Sequence, residues 1–330
     1  MYLPVISLLL FFPLLGVSAL VAQVTEGFVP FVIKGKKFQA YYKVHGPTDW
    51  STNRAAPIPV VVLHGGPGFT HDYLAPFADL VHQSNGTSSS PRAVILYDQL
   101  GNGRSSNLRD MPLNFFSVKL YVNELSNLIK KLGLKEFHLV GHSWGGTLAS
   151  EYAVETQDHR IKSVVLSNTL AETRLMLQSR DERISTLDNA DEVREGFRLG
   201  FNDIPKYRAA LLSLYGPYAL RFVTGEIPKE LDVVSTVLGD AETGEGGDST
   251  GPLTNWSVIS RLPSFKAPAL LVTSPWDMLQ PYVSEPFFWG VKKIKWISFE
   301  KSSHIPFWEQ REEYINALGK WFEAIEEQRS

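Results

Sequence analysis

Hydrophobic residues along the chain fall into two patterns, short continuous runs and longer stretches in which they recur every three to four positions. Val60–Leu63 and Val94–Leu96 are runs of apolar residues, which is typical of parallel strands that are buried on both faces. Val118–Leu132 instead carries apolar residues at helical spacing and is followed by Gly133, a common helix C-cap. This alternation predicts a mostly parallel sheet that helices cover on both faces.

The boundaries of the predicted elements follow from these two patterns. The apolar runs predict strands at Phe28–Ile33, Phe38–His45, Ile58–Leu63, Ala93–Tyr97, Phe137–Val140, Ile161–Ser167, Ala269–Thr273 and Lys295–Phe299. The amphipathic stretches between them predict helices at Leu74–His82, Val118–Leu132, Trp144–Thr156 and Arg311–Glu327.

The alternation of strands and helices breaks between about Leu170 and Asn255. Charged, helix-like segments such as Asp181–Leu199 and Pro205–Tyr215 replace the strands there, and Gly239–Thr254 has the composition of a loop. We therefore expect a single α/β core in two parts, residues 23–169 and 256–330, with residues 170–255 inserted between them as a helical lid.

Composition excludes several classes of function. The chain has 330 residues, 44% of them hydrophobic, which is enough for a large buried core. Its formal net charge is 32 − 35 = −3 and it has no basic run, so we do not expect a nucleic-acid partner. It has no cysteine, no His-x-x-x-His and no carboxylate–histidine cluster, so neither a thiol chemistry nor a metal site is predicted. We expect no cofactor, because a G-x-G-x-x-G sequence before a helix is also missing.

The amino-terminal segment has the pattern of a secretory signal peptide. No charged side chain occurs from Met1 to Thr25, and Val5–Leu15 is an almost unbroken apolar run followed by small residues. We predict cleavage after residue 19 or 22 and passage through the secretory pathway, with an uncleaved anchor or a buried strand as alternatives. Asn85 and Asn255 begin Asn-x-Ser/Thr sequons and are candidate glycosylation sites.

The sharpest chemical signal is the sequence Gly-His-Ser-Trp-Gly at Gly141–Gly145, between a predicted strand and a predicted helix. Such a turn presents a serine hydroxyl as a nucleophile, and it needs its two glycines because a Cβ would collide there. A serine also needs a base and an acid that orients the base. Asp277 and His304 follow two later strands in the required order. We predict that Ser143 is the nucleophile, Asp277 the acid and His304 the base.

A second requirement is a pair of N–H donors that face the substrate carbonyl oxygen as it becomes negative. The glycine-rich turn His64–Gly68 follows a predicted strand and can offer the N–H of Gly66, or that of Gly65. The N–H of Trp144 is the expected second donor. We expect the imidazoles at positions 64 and 142 to brace these two turns.

Structural explanations of the same residues stay open. The turn around Ser143 also fits a non-catalytic relative, and His304 also fits a histidine in a surface turn. Asp277 also fits a helix N-cap, with Glu285 as a substitute acid. Asp98, at the end of another strand, is expected to anchor its own loop.

The motifs together resemble the proline iminopeptidase-like branch of the α/β-hydrolase superfamily. The resemblance implies an α/β-hydrolase fold with an eight-stranded sheet, a Ser-His-Asp triad, and a peptidase or amidase that removes an N-terminal residue, often proline, through an acyl-enzyme. Ser303–Glu309 looks similar to fungal amino-acid amidases or iminopeptidases. The motifs that carry the resemblance are His64–Gly68, Asp98–Ser105, Gly141–Gly146 and the pair Asp277 and His304.

The substrate is less well determined than the mechanism. An exopeptidase of this type must hold a free ammonium group, for which carboxylates are the natural partners. Glu151, Glu195, Glu226 and Glu230 are candidates, although a solvated helix face also explains them. The alternatives are a hydrolase of esters, lactones or amides of a small secondary metabolite, and a secreted binding module without turnover. We expect a small-molecule or short-peptide partner and no membrane contact beyond an uncleaved anchor.

Overall fold

The protein is described by a computed structural model that covers residues 23–50, 56–66, 68–82, 90–108, 111–112, 115–219, 253 and 255–328. Its eight strands form one sheet in the order β1-β2-β4-β3-β5-β6-β7-β8. β2 is antiparallel to β1 and β4, and the other neighbours are parallel, as predicted. The strands are β1 Val24–Ile33, β2 Lys36–His45, β3 Val60–Leu63, β4 Val94–Tyr97, β5 Phe137–His142, β6 Ile161–Ser167, β7 Ala269–Thr273 and β8 Ile294–Ser298.

Helices cover both faces of the sheet. α1, α2 and α6 bury their apolar side chains against one face, and a 3-10 helix at Asp72–Val81 and α8 bury theirs against the other. Two further 3-10 helices occupy Gly200–Asp203 and Ile259–Ser264. The α-helices are α1 Val118–Lys131, α2 Trp144–Thr156, α3 Thr173–Ile184, α4 Ala190–Leu199, α5 Ile204–Tyr218, α6 Pro281–Gly290, α7 Pro306–Glu309 and α8 Arg311–Glu327.

Two helix predictions differ from the structure, and one further helix was not predicted. The helix predicted at Leu74–His82 is a 3-10 helix, and it contains Pro76, which cannot donate a backbone hydrogen bond. The segment Asp181–Leu199 is two helices, α3 and α4, rather than one. The helix α6 was not predicted, since Pro281 and Pro286 interrupt its sequence pattern, although Pro281 is compatible with a first helical turn.

The three helices α3, α4 and α5 lie between β6 and β7, and we call them the inserted helices. They have a small hydrophobic core of their own, which includes Val193, Phe197, Tyr207 and Leu214. The remainder of the predicted lid, residues 220–252, lies outside the described residues. The division of the chain into a core and a lid therefore stays a prediction.

A buried polar cluster joins α8 to the amino-terminal end of β5. The carboxylate of Glu326 accepts from His138 Nε2 at 3.0 Å and from Arg92 at 2.5 Å. Since Nε2 of His138 carries the proton, its Nδ1 accepts from the hydroxyl of Ser163 at 2.7 Å. Burial lowers the pKa of His138 to about 4, and the hydrogen bond to Glu326 offsets only part of this shift. The imidazole is therefore neutral in the folded protein near neutral pH.

We expect the protein to lose stability in mild acid because of this histidine and of His64, whose pKa burial also lowers to about 4. The unfolded chain binds a proton at each imidazole near pH 6.5 and the folded chain does not, so the free energy of unfolding falls as pH drops from about 6.5 to about 4. The loss is about 3 kcal/mol for each group at about 1.4 kcal/mol per pKa unit.

Urea unfolding at about pH 7 and about pH 4.5 measures this loss. The variant His138→Gln removes one buried imidazole with a lowered pKa, so its free energy of unfolding should depend less steeply on pH. An unfolding free energy that stays constant across this range in the unaltered protein would contradict the buried, neutral state of the imidazoles.

Candidate active site

Ser143 lies in a tight turn between β5 and α2. Its backbone has φ 55° and ψ −125°, a conformation that is costly for a residue with a Cβ. Two hydrogen bonds connect this strained residue to the segment at the end of β6. Its N–H donates to the carbonyl of Ser167 at 3.0 Å, and its carbonyl accepts from the hydroxyl of Thr169 at 2.7 Å. The turn is therefore determined by the end of the neighbouring strand β6.

Close backbone approach explains the two glycines that flank this turn. A Cβ on Gly141 would lie 2.2 Å from the carbonyl oxygen of Gly145. A Cβ on Gly145 would lie 2.2 Å from the carbonyl oxygen of Leu63, at the end of β3. These partners are backbone atoms that cannot rotate away, so the sequence pattern follows from steric exclusion.

Asp277 and His304 form a buried hydrogen-bonded pair after β7 and β8. Nδ1 of His304 donates to the Asp277 carboxylate at 2.8 Å, which leaves Nε2 as the acceptor nitrogen. His304 is only 4% exposed, so the alternative of a surface turn is wrong. The N-cap of the following helix is Gln280 rather than Asp277, so that alternative is wrong too. The pair has the arrangement that an acid and a base need.

Asn168 orients the Asp277 carboxylate, and sequence reasoning missed it. Its side-chain amide donates to Asp277 at 2.8 Å and to the carbonyl of Ser303, the residue before His304, at 3.3 Å. A second donor, the N–H of Leu279, lies 2.8 Å from the same carboxylate. Asn168 directly follows β6. Its place at the carboxyl end of a strand is the sequence signal that could have identified it.

A chain of hydrogen bonds inside the protein connects the loop that carries His304 with the glycine-rich turn. Nε2 of His142 donates to the carbonyl of His304 at 2.7 Å, so its Nδ1 accepts from the hydroxyl of Tyr73 at 2.7 Å. The Tyr73 oxygen in turn accepts from the N–H of Gly65 at 2.6 Å. Burial holds the pKa of His142 well below its usual value and raises that of Tyr73, so both groups are neutral. As expected, His142 braces its turn.

The amide of Gly65 is thus already hydrogen-bonded to Tyr73, which argues against the alternative that it stabilises a substrate oxyanion. Gly66 has φ +112°, a conformation that glycine adopts without strain, and it lines the same pocket as Ser143 and Trp144. Three of the predicted site residues therefore face one cavity. The backbone carbonyl of His304 is bonded to His142, the residue before Ser143, which connects His304 to the same turn.

The cavity beside Ser143 has a mainly apolar lining. Among the described lining residues, the charged one is Arg180 of α3, whose guanidinium lies 4.9 Å from the centre of the Phe197 ring. Part of the lining comes from the inserted helices and part from the loop after Asp277. The lining residues are Gly66, Ser143, Trp144, Leu170, Met176, Arg180, Phe197, Leu214, Tyr215, Leu253, Met278 and Leu279.

The glutamates that were candidates for amine binding lie elsewhere or cannot be placed. Glu151 accepts hydrogen bonds from Arg261 at 2.9 Å and from the indole of Trp256 at 3.2 Å, and it does not line the cavity. Glu195 of α4 is 44% exposed and pairs with Arg198 at 2.6 Å. Glu226 lies outside the described residues, as do Glu230 and the sequon at Asn85.

Asp98 anchors its loop, as the sequence indicated, through two backbone N–H groups and one imidazole. Its carboxylate accepts from the N–H of Arg104 at 2.9 Å and from both the N–H and Nδ1 of His71 at 2.8 Å. Burial opposes ionisation of Asp98, but the hydrogen bond and charge of His71 keep its pKa below the usual value.

Within the described ranges, no group of three or more His, Asp or Glu side chains could hold a metal ion, and no helix could cross a membrane.

Comparison with known proteins assigns the family. Residues 58–213 match the family described as "alpha/beta hydrolase fold". The chain is 33% identical over 308 residues to the proline iminopeptidase of Clostridioides difficile (strain 630), covering 92% of this chain and 99% of that relative. The chain belongs to the proline iminopeptidase family of α/β hydrolases. Membership of this family makes it a hydrolase, which confirms the prediction.

A second curated relative and two solved structures also match almost the full length of the chain. The proline iminopeptidase of Lactobacillus delbrueckii subsp. lactis is 32% identical over 306 residues, covering 91% of this chain and 98% of the relative. The solved proline iminopeptidase of Mycobacterium smegmatis has a TM-score of 0.76 at 27% identity, covering 93% and 100% of the two chains. The solved structure of VinJ has a TM-score of 0.77 at 27% identity, covering 91% and 99%.

Proposed function

We propose that this member of the family is a serine aminopeptidase or amino-acid amidase that works through Ser143, His304 and Asp277. The observation that carries the proposal is the buried pair of His304 and Asp277, bonded at 2.8 Å. The carbonyl of His304 is tied to His142, the residue before Ser143. This arrangement brings the base loop to the turn that carries the nucleophile.

In the proposed mechanism, the Ser143 oxygen attacks the substrate carbonyl carbon while Nε2 of His304 accepts the serine proton. The imidazolium then gives this proton to the leaving amine, and the bond from the carbonyl carbon to the amine nitrogen breaks. Water then attacks the acyl-enzyme. Nε2 of His304 accepts a proton from this water and returns it to the Ser143 oxygen as the acyl group leaves. Asp277 keeps the proton of His304 on Nδ1 and stabilises the imidazolium.

The tetrahedral intermediate needs donors for its negative oxygen, and we assign these to the amides of Gly66 and Trp144. Both residues line the cavity with Ser143, and Trp144 is the first residue of α2. A helix amino terminus has unpaired N–H groups and a positive dipole end, which favours a developing negative charge. The assignment of Gly65 as donor is dropped because its N–H donates to Tyr73.

The substrate in this proposal has a free amino-terminal residue with a small apolar side chain, such as proline. The relatives that cover almost the whole chain are named proline iminopeptidases. The mainly apolar cavity beside Ser143 is suited to a pyrrolidine ring. A peptide or an amino-acid amide fits both features.

A second candidate is a hydrolase of esters, lactones or blocked amides of a small metabolite. The charged residue in the described part of the cavity lining is Arg180, a cation, and none of the described lining residues is acidic. A cation attracts carboxylate or carbonyl oxygens rather than an ammonium group. This composition favours an acyl group without a free amine.

A panel of chromogenic substrates separates the two candidates. The aminopeptidase proposal predicts that prolyl- or alanyl-p-nitroanilide is cleaved and that N-acetylprolyl-p-nitroanilide has a kcat/KM lower by more than about 10²-fold, since blocking the amine removes a charged contact. Turnover of the acetylated anilide or of short p-nitrophenyl esters alone would overturn it in favour of the second candidate. The Ser143→Ala variant serves as the blank.

We also propose that the protein is secreted and glycosylated at Asn255. The apolar segment at residues 1–22 and the exposed side chain of Asn255 support this. Intact mass of the protein from a eukaryotic culture medium tests it, because a chain that begins at residue 20 or 23 and carries glycan is expected. A retained leader or an intracellular product would contradict it.

The expected fungal type has no support from the relatives above, which are bacterial, and it stays a prediction.

A further inference from the structure

Gln99 lies between the two backbone segments to which the oxyanion donors are assigned. It is 1% exposed and follows β4 by two residues. Its side-chain Nε2 donates to the carbonyl of His64 at 3.0 Å, and its Oε1 accepts from the indole N–H of Trp144 at 2.7 Å. One amide group therefore bridges the glycine-rich turn and the start of α2.

The backbone of Gln99 adds a third bond that fixes the state of His64. The Gln99 N–H donates to Nε2 of His64 at 3.0 Å, so the imidazole proton is on Nδ1, which donates to the carbonyl of Gly65 at 2.9 Å. Burial keeps His64 neutral by lowering its pKa to about 4. Near neutral pH the bridge has a single arrangement of donors and acceptors.

The loop that carries Gln99 is itself held firmly. The Asp98 carboxylate accepts from the N–H of Arg104 in the same loop and from the N–H of His71 in a neighbouring segment, and Glu124 of α1 accepts from the N–H of Leu100 at 2.8 Å. Ser105 closes the loop by donating to the carbonyl of Asp98 at 2.5 Å. Gln99 thus extends from a rigid base toward both donor segments.

We propose that Gln99 is a positioning residue that sets the separation of the Gly66 and Trp144 amides. The proposal rests on the function proposed above. A negative oxygen binds both donors only when their spacing matches the tetrahedral intermediate, so a shift of either segment weakens binding of the transition state more than binding of the substrate. Gln99 itself touches neither the substrate nor the reacting atoms in this role.

Two substitutions test the role at different points. Gln99→Met keeps the length of the side chain but leaves the His64 carbonyl and the Trp144 indole without their partner. Gln99→Glu keeps the acceptor for Trp144 and turns an oxygen toward the His64 carbonyl, which repels it. Loss of a whole oxyanion donor costs about 10²–10³ in kcat, and we expect misplacement to lower kcat by about 10- to 100-fold with KM changed less than about threefold.

The matched control is Ser163→Ala, near the amino-terminal end of β6, because its hydroxyl is fully buried, bonds to His138 and to the indole of Trp321, and touches neither donor segment. This variant should lose stability and keep kcat within about twofold. A prolyl aldehyde, which forms a tetrahedral adduct, gives the selective readout. Its inhibition constant should rise in the Gln99 variants by the same factor as kcat/KM falls, while inhibition by free proline stays unchanged.

The outcomes are distinguishable. If kcat of both Gln99 variants equals that of Ser163→Ala, or if aldehyde and proline inhibition weaken together, Gln99 is a structural residue and the inference is overturned. If Ser143→Ala retains full activity, the proposed function itself fails. If Ser143→Ala is inactive and the Gln99 variants retain kcat, only the role of Gln99 fails.

Discussion

Replacing Ser143 with alanine is expected to lower kcat by about 10⁵- to 10⁶-fold, which is the typical loss when the nucleophile of a catalytic triad is removed. The alanine has no oxygen to form the acyl-enzyme, and the remaining groups can only polarise the carbonyl. Measurement of kcat on the best anilide or ester of the substrate panel tests this. Labelling by a fluorophosphonate probe should disappear in the same variant, whereas a binding module would not label at all.

Ser143→Gly separates the chemistry from the strain of the turn. Both variants lack the nucleophile, but glycine adopts the φ 55°, ψ −125° backbone more readily than alanine or serine. We therefore expect Ser143→Gly to be inactive and to unfold with a free energy about 1 kcal/mol higher than Ser143→Ala. Equal stability of the two variants would contradict the assigned strain, and residual activity in both would contradict the assigned nucleophile.

Replacing Asp277 with asparagine is expected to lower kcat by about 10⁴-fold, because the orientation of His304 depends on an acceptor at Nδ1. An asparagine that turns its NH₂ toward His304 moves the imidazole proton to Nε2, so the ring cannot accept the serine proton. An asparagine in the opposite orientation places its NH₂ against the amide NH₂ of Asn168, which now donates to Asp277 at 2.8 Å. In the first orientation the NH₂ also meets the N–H of Leu279, which now donates to the same Asp277 oxygen as His304 at 2.8 Å. Each orientation therefore leaves two donors face to face and costs about 1–3 kcal/mol of stability.

Asp98→Asn is the matched control for this experiment. Asp98 is also fully buried at a strand end and also binds Nδ1 of a histidine, His71, at 2.8 Å. We expect this variant to lose a similar amount of stability, measured by urea unfolding, and to keep kcat within about tenfold. If kcat fell equally in both variants, the loss would come from general destabilisation and the role of Asp277 would not stand.

Sequence reasoning located the tight turn at Ser143 and the pair of Asp277 and His304 because their signals are local. Gly141 and Gly145 are required by contacts within a single turn and its neighbouring strand. Asp277 and His304 follow continuous apolar strands, and the carboxyl ends of parallel strands meet at one edge of the sheet. Their direct bond was inferred from chain order before any distance was known.

The supporting groups were missed because their partners are far away along the chain. Asn168 and Asp277 are 109 positions apart, and Tyr73 and His142 are 69 apart. Glu151 was a candidate for amine binding, but its ion-pair partner Arg261 is 110 positions away and shows no pattern in the sequence. Polar residues of this kind look like solvated surface residues until the fold brings their partners together.

The sequence by itself determined the strand cores and the strained serine turn, since burial of continuous apolar runs and exclusion of a Cβ are decided within a few residues. The tertiary structure decided which polar groups touch. β3 lies between β4 and β5, so the segments after these three strands are neighbours, and Gln99 can reach both His64 and Trp144. Strand order arises from the packing of whole elements, and no local pattern of residues encodes it.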